Sequence, residues 1–142
     1  MQIIDSLPDF SDIGKLLKKV SSIAIVGLSP KEDRPSNMVA RYLMDAGYTI
    51  YPVNPGQKEI LGQACYPDLI SVPHTIDVVN IFRKSEDVLP IVEQAVAVGT
   101  QAVWMQQGIS NEKGAELARS KGIFVVMDRC IKIDLSALLK NT

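Results

Sequence analysis

Ile23-Ala-Ile-Val-Gly-Leu28 is the longest unbroken apolar run in the chain, and Ser29-Pro30 follows it directly. A continuous apolar run of this length is typical of a strand that is covered on both faces, as strands of parallel sheets are. The glycine, serine and proline that end the run predict a turn. We therefore predict a buried parallel strand that delivers the chain into a loop.

Helical and strand patterns alternate after this run. Three helices are predicted from apolar spacing and end signals: one with Ser36 as N-cap that stops at Gly47, one that begins near Leu89, and one capped by Ser110. Further strands are predicted at 48–53, 77–82, 101–105 and 123–127. Residues 54–73 contain three prolines and two glycines and are predicted to be loop-rich, with Cys65-Tyr66 as a candidate short strand.

This alternation predicts an α/β fold: a Rossmann-like, doubly wound, mostly parallel sheet in three α/β/α layers, forming a single domain. Residues 20–134 are expected to form the domain. Residues 1–19 are expected to be an N-terminal helical extension, with an amphipathic helix over 11–20, and residues 135–142 a C-terminal tail with a short helix at 135–139.

Composition narrows the functional class. The 142 residues include 15 Lys and Arg against 16 Asp and Glu, a net charge of −1, which disfavours nucleic acid binding through bulk charge. The apolar runs are far shorter than the roughly 20 residues of a membrane span, and the N-terminus lacks a secretory pattern, so a cytoplasmic protein is expected. Two distant cysteines and one histidine favour reduced thiols and argue against a metal site.

Ligands of doubly wound sheets bind beyond the carboxyl ends of the strands, where the strand order reverses. The first loop there leads to a helix N-terminus, which favours an anion such as phosphate. Its candidate ligand residues are Gly27, for close backbone approach, the Ser29 hydroxyl, and the cations Lys31 and Arg34. The alternative is a solvated loop whose acidic residues 32 and 33 cancel those charges.

The later strand ends supply further candidates. Asn54 opens a rigid turn that carries Lys58, which could reach a second phosphate group. Phe82 could pack on a purine and Arg83 could pair with phosphate, although Phe82 could equally be a core residue. Gln106 offers an amide for ribose, adenine or amide hydrogen bonds, unless its turn merely caps the next helix.

Several common sites are absent from the sequence. Neither the three-glycine dinucleotide fingerprint nor its acidic residue after the second strand is present, and no Gly-Lys-Ser/Thr triplet occurs. His74 has no partner at triad-like spacing and is assigned no role. Cys130 follows the last strand beside Arg129, which could raise its thiolate fraction, or it could be a small buried hydrophobe.

Five separated motifs resemble those of the small standalone CoA-binding domain proteins. They are Ile25-Val-Gly-Leu-Ser-Pro30 with Asp33-Arg-Pro-Ser36, Tyr51-Pro-Val-Asn-Pro55, Asp77-Val-Val-Asn-Ile-Phe-Arg83, Val103-Trp-Met-Gln-Gln-Gly-Ile109 and Val126-Met-Asp-Arg-Cys-Ile131. That family is similar to the N-terminal domain of the succinyl-CoA synthetase alpha subunit and of related acyl-CoA synthetases. The resemblance implies coenzyme A, or an acyl-CoA, held at the strand ends by Gly27, Ser29, Arg34, Asn54, Lys58, Phe82, Arg83 and Gln106.

The resemblance does not extend to the chemistry of the synthetases, whose phosphohistidine lies in a separate domain. No catalytic residue is therefore predicted, and a CoA-binding protein without turnover is the leading interpretation. Alternatives remain open: a nucleotide-dependent oxidoreductase or transferase using the same pocket, a module that docks with a synthetase partner, and a homo-oligomer. Cys130 could also form a mixed disulfide with CoA.

Overall fold

The computed structural model describes residues 8–140, in which five parallel strands form one sheet. The strands are β1 (Ser22–Val26), β2 (Thr49–Val53), β5 (Val78–Ile81), β6 (Ala102–Met105) and β7 (Phe124–Val126). Their spatial order is β2-β1-β5-β6-β7, so the order reverses between β1 and β5. The predicted doubly wound, Rossmann-like α/β fold is confirmed.

Five helices cover the two faces of the sheet: α1 (Phe10–Lys19), α2 (Pro35–Asp45), α3 (Val88–Val98), α4 (Glu112–Ser120) and α5 (Ile131–Lys140). Alternate residues of β1 enter opposite cores, Ile23 and Ile25 with α1, α2 and α5, and Ala24 and Val26 with α3 and α4. This produces the predicted three layers. None of the helices within residues 8–140 is both long and apolar enough to cross a membrane.

The two helix caps that the sequence predicted are wrong by one or two positions. Arg34 is the N-cap of α2 because Pro35, with its fixed φ and no N–H to satisfy, occupies the first turn. The Ser36 hydroxyl instead accepts from the Ser29 amide at 3.0 Å. Asn111, not Ser110, caps α4, since its side chain accepts from the amide of Gly114 at 2.8 Å.

The segment predicted to be loop-rich contains a small antiparallel hairpin of β3 (Glu59–Ile60) and β4 (Gln63–Ala64). An isolated bridge joins Val53 to Tyr66, which partly agrees with the candidate strand there. The last helix begins earlier than predicted, at Ile131. The apolar face of α1 packs on α5 in the core that contains Ile23 and Ile25. The division of the chain into residues 1–19, 20–134 and 135–142 stays a prediction.

Candidate functional site

The carboxyl edge of the sheet carries two neighbouring cavities. The large cavity, of about 750 Å³, lies beyond β5, β6 and β7 and reaches the start of α2 at Pro35. The small cavity, of about 360 Å³, lies beyond β1 and β2 and is closed by the start of α3 and by residues 67–69. Arg83 lines both. The cavities therefore flank the point where the strand order reverses, as doubly wound sheets predict.

The large cavity combines cations, amides and apolar side chains. Arg83, Lys84 and Lys132 supply positive charge, and none of its lining residues within 8–140 is acidic. Its apolar lining includes Met38 of α2 and Ile133 of α5, which are 43% and 59% exposed. Lys132 Nζ also lies 5.5 Å from the centroid of the Tyr42 ring. Exposed apolar side chains beside this group of cations indicate a site for an amphipathic anion.

Gly27 brings the first loop against the end of β5. Its φ of +91° lies in the left-handed region, and a Cβ there would stand 2.5 Å from the carbonyl oxygen of Phe82 and 3.3 Å from Nε of Arg83. Only glycine fits this close approach. The absence of a Cβ at Gly27 thus leaves room for Arg83, whose guanidinium has no hydrogen-bond or ion-pair partner among residues 8–140.

Hydrogen bonds fold the first loop onto α2. The Asn37 side chain donates to the carbonyl of Ser29 at 2.9 Å, and the Ser29 hydroxyl oxygen accepts from the amide of Lys31 at 3.1 Å. Arg34 is exposed, and no side chain caps the helix that begins after it. The loop therefore presents Ser29, Lys31 and Arg34 from a fixed backbone next to an uncapped helix N-terminus.

The second loop is braced to the first by Asn54. Its side chain donates to the carbonyl of Leu28 at 2.9 Å and accepts from the amide of Gly56 at 3.0 Å. The nitrogen and the oxygen of this side-chain amide are therefore both hydrogen-bonded within the protein. Lys58 is exposed, and its carbonyl accepts from the amide of Cys65 across the hairpin at 2.9 Å. Among the residues described, Lys58 lines neither cavity.

Gln106 is the most constrained polar residue of the large cavity. It is only 6% exposed, and its Oε1 accepts from Nδ2 of Asn80 at 3.2 Å and from the amide of Ile131 at 3.4 Å. Its Nε2 has no hydrogen-bond partner among residues 8–140. Because Gln106 lines the large cavity, this nitrogen can donate to a molecule bound there.

The turn after β7 is held to the sheet by Trp104, whose buried indole N–H donates to the carbonyl of Arg129 at 2.7 Å. The Arg129 guanidinium pairs with Asp134, and not with Cys130 as the sequence suggested. Its guanidinium makes two hydrogen bonds of 2.7 and 2.9 Å to the carboxylate of Asp134, an interaction that raises the pKa of Arg129. Cys130 is half-buried and lines the large cavity.

The structure therefore brings part of the predicted site together. Phe82, Arg83 and Gln106 line the large cavity, and Gly27 lies against the first two. Phe82 also packs against the core, and its packing on a purine stays a prediction. Ser29, Arg34 and Lys58 lie on the loops above, and Asn54 acts as a brace. Ligand contacts for all eight stay predictions.

The sequence analysis missed the helix side chains that line the large cavity: Met38, Lys132 and Ile133. They lie on α2 and α5, and the rule that places ligands at strand ends does not reach helix side chains. One signal was available for Met38, since an apolar side chain beside Arg41 and Asn37 interrupts an otherwise polar helix face. Lys84 and Gln107, which neighbour predicted site residues, also line this cavity.

The chain is similar to a known domain family and to proteins of about its own length. Residues 21–136 match the model of a family described as a CoA binding domain. The uncharacterized protein YneT of Bacillus subtilis is 40% identical over 126 residues, which cover 89% of this chain and 93% of that protein. A hypothetical protein from Pyrococcus horikoshii superimposes with a TM-score of 0.91 at 38% identity, covering 98% of this chain and 97% of that one.

A second kind of relative is much longer. ADP-forming acetate–CoA ligase I of Archaeoglobus fulgidus is 30% identical over 119 residues, which cover 77% of this chain. The matched region is 17% of the ligase, so the chain spans less than a fifth of that relative's length.

Proposed function

The chain belongs to the CoA-binding domain family and is related to the corresponding domain of ADP-forming acetate–CoA ligases, and from that premise we propose that it binds coenzyme A or an acyl-CoA across the two cavities. The observation that carries the proposal is the large cavity, with three cations, no acidic lining residue within 8–140 and an amide donor of Gln106 that has no protein partner there. Coenzyme A matches it, because it joins a pyrophosphate and a third phosphate to a long, weakly polar arm.

Arg83 is the central phosphate ligand in this proposal. It lies between the cavities, so an adenosine on one side and a pantetheine arm on the other would place the pyrophosphate beside its unpaired guanidinium. Arginine suits this position because its planar group of donors pairs with two phosphate oxygens at once. The N-terminus of α2, which no side chain caps, adds backbone amides that can donate to phosphate on the same side.

The small cavity suits the adenosine. Its lining includes the carboxylates of Asp68 and Asp87, which can accept from the exocyclic amine of adenine, and apolar surface from Val26 and Ile91 for the ring. A phosphate would be repelled by the same carboxylates. Lys58 and Arg34, exposed on the two loops, are proposed to meet the third phosphate from the rim.

The large cavity suits the pantetheine arm. The arm has two amide groups in an otherwise apolar chain, and the cavity offers the amides of Gln106 and Gln107 among apolar side chains. Bound there, the arm would cover Met38 and Ile133, which are otherwise exposed. An acyl group on the sulfur would enter the same apolar surroundings.

Calorimetric titration tests the proposal. CoA should release heat with one site per chain, and NADH should not, since the chain lacks the dinucleotide fingerprint. Arg83→Met should weaken CoA binding about 10- to 100-fold, the usual cost of a lost hydrogen bond to a charged group. Lys121→Gln, at the far end of α4, is the matched control and should bind CoA as the unmodified protein does.

Two outcomes would overturn the proposal. One is binding of NADH without binding of CoA, which would favour the oxidoreductase interpretation. The other is unchanged CoA affinity in Arg83→Met, which would remove the residue that joins the cavities from the site. Cytoplasmic location stays a prediction of the sequence.

A second candidate function is docking with a synthetase partner. It is favoured by one observation: the chain matches the acetate–CoA ligase but spans only 17% of that protein. A partner would then supply the remaining catalytic parts. Size-exclusion chromatography of the untagged chain from its own cells checks this, since a larger copurifying protein is expected, and the purified chain alone reports whether it forms a homo-oligomer.

A further inference from the structure

The sulfur of Cys130 lies in the cavity assigned to the pantetheine arm, and we infer that it is the site of a reversible mixed disulfide with the thiol of coenzyme A. This inference rests on the proposed function, and it adds a covalent, redox-dependent form of the complex. It would make retention of the coenzyme respond to the balance between thiols and disulfides around the protein.

The position of Cys130 supports this role. Cys130 directly precedes α5, and its carbonyl accepts the helical hydrogen bond from the amide of Asp134 at 3.0 Å, so it is the N-cap residue of a ten-residue helix. Its side chain lines the large cavity and is half-buried, which leaves the sulfur accessible from that cavity. The positive end of the helix macrodipole and Lys132 lie on the same side.

Gln106 is an independent sign that this part of the cavity receives a ligand. It is more than nine-tenths buried, and its Nε2 is unpaired among residues 8–140. Its Oε1 accepts from the amide of Ile131, the residue after Cys130, so the free amide donor and the thiol belong to one small region. A pantetheine carbonyl that accepts from Gln106 would bring the end of its arm towards Cys130.

The other cysteine provides an internal contrast. The Cys65 thiol donates to the carbonyl of Asn54 at 3.5 Å, and desolvation by burial raises its pKa. Both cysteines pack against the same core, but among the residues described Cys65 lines neither cavity, whereas Cys130 lines the large one. Because thiolates are the reactive form of cysteine, Cys65 is a poor nucleophile and Cys130 the favoured one by position.

The reaction is a thiol–disulfide exchange. The Cys130 thiolate attacks one sulfur of CoA disulfide, a new S–S bond forms between Cys130 and that CoA, and the second CoA leaves as its thiolate. The proton of the Cys130 thiol passes to water or to the departing thiolate. No electrons are gained or lost overall, because one disulfide is exchanged for another. A small thiol reductant reverses the step by the same chemistry.

Intact-mass measurement after incubation with CoA disulfide tests the inference. One adduct per chain is expected, with the mass of CoA minus two hydrogen atoms, and it should disappear after reductant is added. Peptide mapping of the adduct on the unmodified protein should locate it at Cys130. Cys130→Ser should abolish the adduct, and Cys65→Ser should retain it.

Oxidised glutathione is the control that distinguishes exchange with a disulfide bound in the site from exchange with any disulfide in solution. CoA disulfide should react about tenfold faster or more, because binding holds its sulfur near the thiol, whereas glutathione lacks the adenosine and phosphates. Equal rates, or an adduct mapped to Cys65, would overturn the inference. If CoA binds tightly by calorimetry and CoA disulfide still leaves no adduct, the inference fails and the proposed function stands. If CoA does not bind by calorimetry, both fail.

Discussion

The two edges of the same parallel sheet differ in whether their charged and polar side chains have hydrogen-bond partners within the protein. At the amino edge, the Asp77 carboxylate accepts from the amides of Ser21 and Ser22, from the Ser21 hydroxyl and from the Gln101 side chain, at 2.8 to 3.2 Å. At the carboxyl edge, Arg83 and the Nε2 of Gln106 have no partner among residues 8–140. One edge satisfies its charge internally, and the other leaves donors facing cavities.

This difference separates stability from binding. Hydrogen bonds to the Asp77 carboxylate tie β1, β5 and β6 together and leave little for a ligand. Donors without protein partners at the other edge are free to pair with a bound ligand, and the Arg83 guanidinium favours an anionic one. Substitutions at the amino edge should therefore change stability alone, and those at the carboxyl edge should change binding of CoA.

Gly27→Ala should have the largest effect. It is an exception at the carboxyl edge, because it should lower both the free energy of unfolding and the affinity for CoA. The new Cβ would stand 2.5 Å from the Phe82 carbonyl oxygen at a φ of +91°, so the loop must move away from β5. We expect a loss of about 2–4 kcal/mol in the free energy of unfolding, from backbone strain and overpacking, together with weaker CoA binding. Chemical denaturation and calorimetry measure the two quantities.

Gly47→Ala is the matched control for this prediction. Its φ is also positive, at +102°, but no atom lies within 4 Å of the added Cβ. It should cost about 1 kcal/mol, the conformational penalty alone, and leave CoA affinity unchanged. Equal losses in the two variants would show that the close approach of Gly27 to β5 has no energetic importance.

Asp77→Asn should destabilise the protein by about 1–2 kcal/mol at neutral pH and leave CoA affinity unchanged. The desolvation of Asp77 is the largest single influence and raises its pKa, but the hydrogen bonds from Ser21, Ser22 and Gln101 together outweigh it, so the pKa is lowered. A carboxyl whose pKa is lowered in the folded state stabilises the protein at pH values above the pKa that it has in the unfolded chain.

The pH dependence of that difference checks its origin. The stabilisation by Asp77 should be complete at neutral pH and decrease as the pH falls below about 4, through the folded-state pKa. Urea denaturation of both proteins from pH 7 to pH 3 measures it, and the gap in unfolding free energy should narrow towards the acidic end. A gap that stays constant would mean that the charge of Asp77 contributes nothing.

Lys58→Ala should have the smallest effect. Lys58 is exposed just before the hairpin, where solvent screens its charge, so we expect unchanged stability and CoA binding weakened about two- to five-fold at low salt. The loss should vanish near 0.5 M salt, roughly, as screening removes rim electrostatics. A much larger loss that persists at high salt would place this lysine inside the site.

The buried strands could be predicted from the sequence because their signal is local. Each is a short, continuous apolar run, and the parallel sheet follows from the helices between the runs. The hairpin at 59–64 has strands of two residues, too short to leave a pattern. The caps failed because Ser36 and Ser110 are used elsewhere: the Ser36 hydroxyl accepts from the first loop, and the Ser110 amide donates to Ser85.

The candidate site was predictable only where it follows strand ends. Gly27, Arg83 and Gln106 do so, and the rule for doubly wound sheets finds them. The orientation of Gln106 depends on Asn80 and Ile131, which are distant in sequence, so no local pattern could show which of its atoms is free. Met38 and Ile133 come from two helices whose approach is a property of the packed fold.

Amide shifts during a CoA titration of the isotope-labelled protein test the central claim most directly, because every backbone N–H of both edges reports in one experiment. The largest changes should fall in residues 27–36, 82–84, 106–109 and 130–133, at the carboxyl edge. Residues 21, 22, 77 and 101, at the amino edge, should keep their positions. Strong shifts confined to the amino edge, or none at either edge at saturating CoA, would contradict the account.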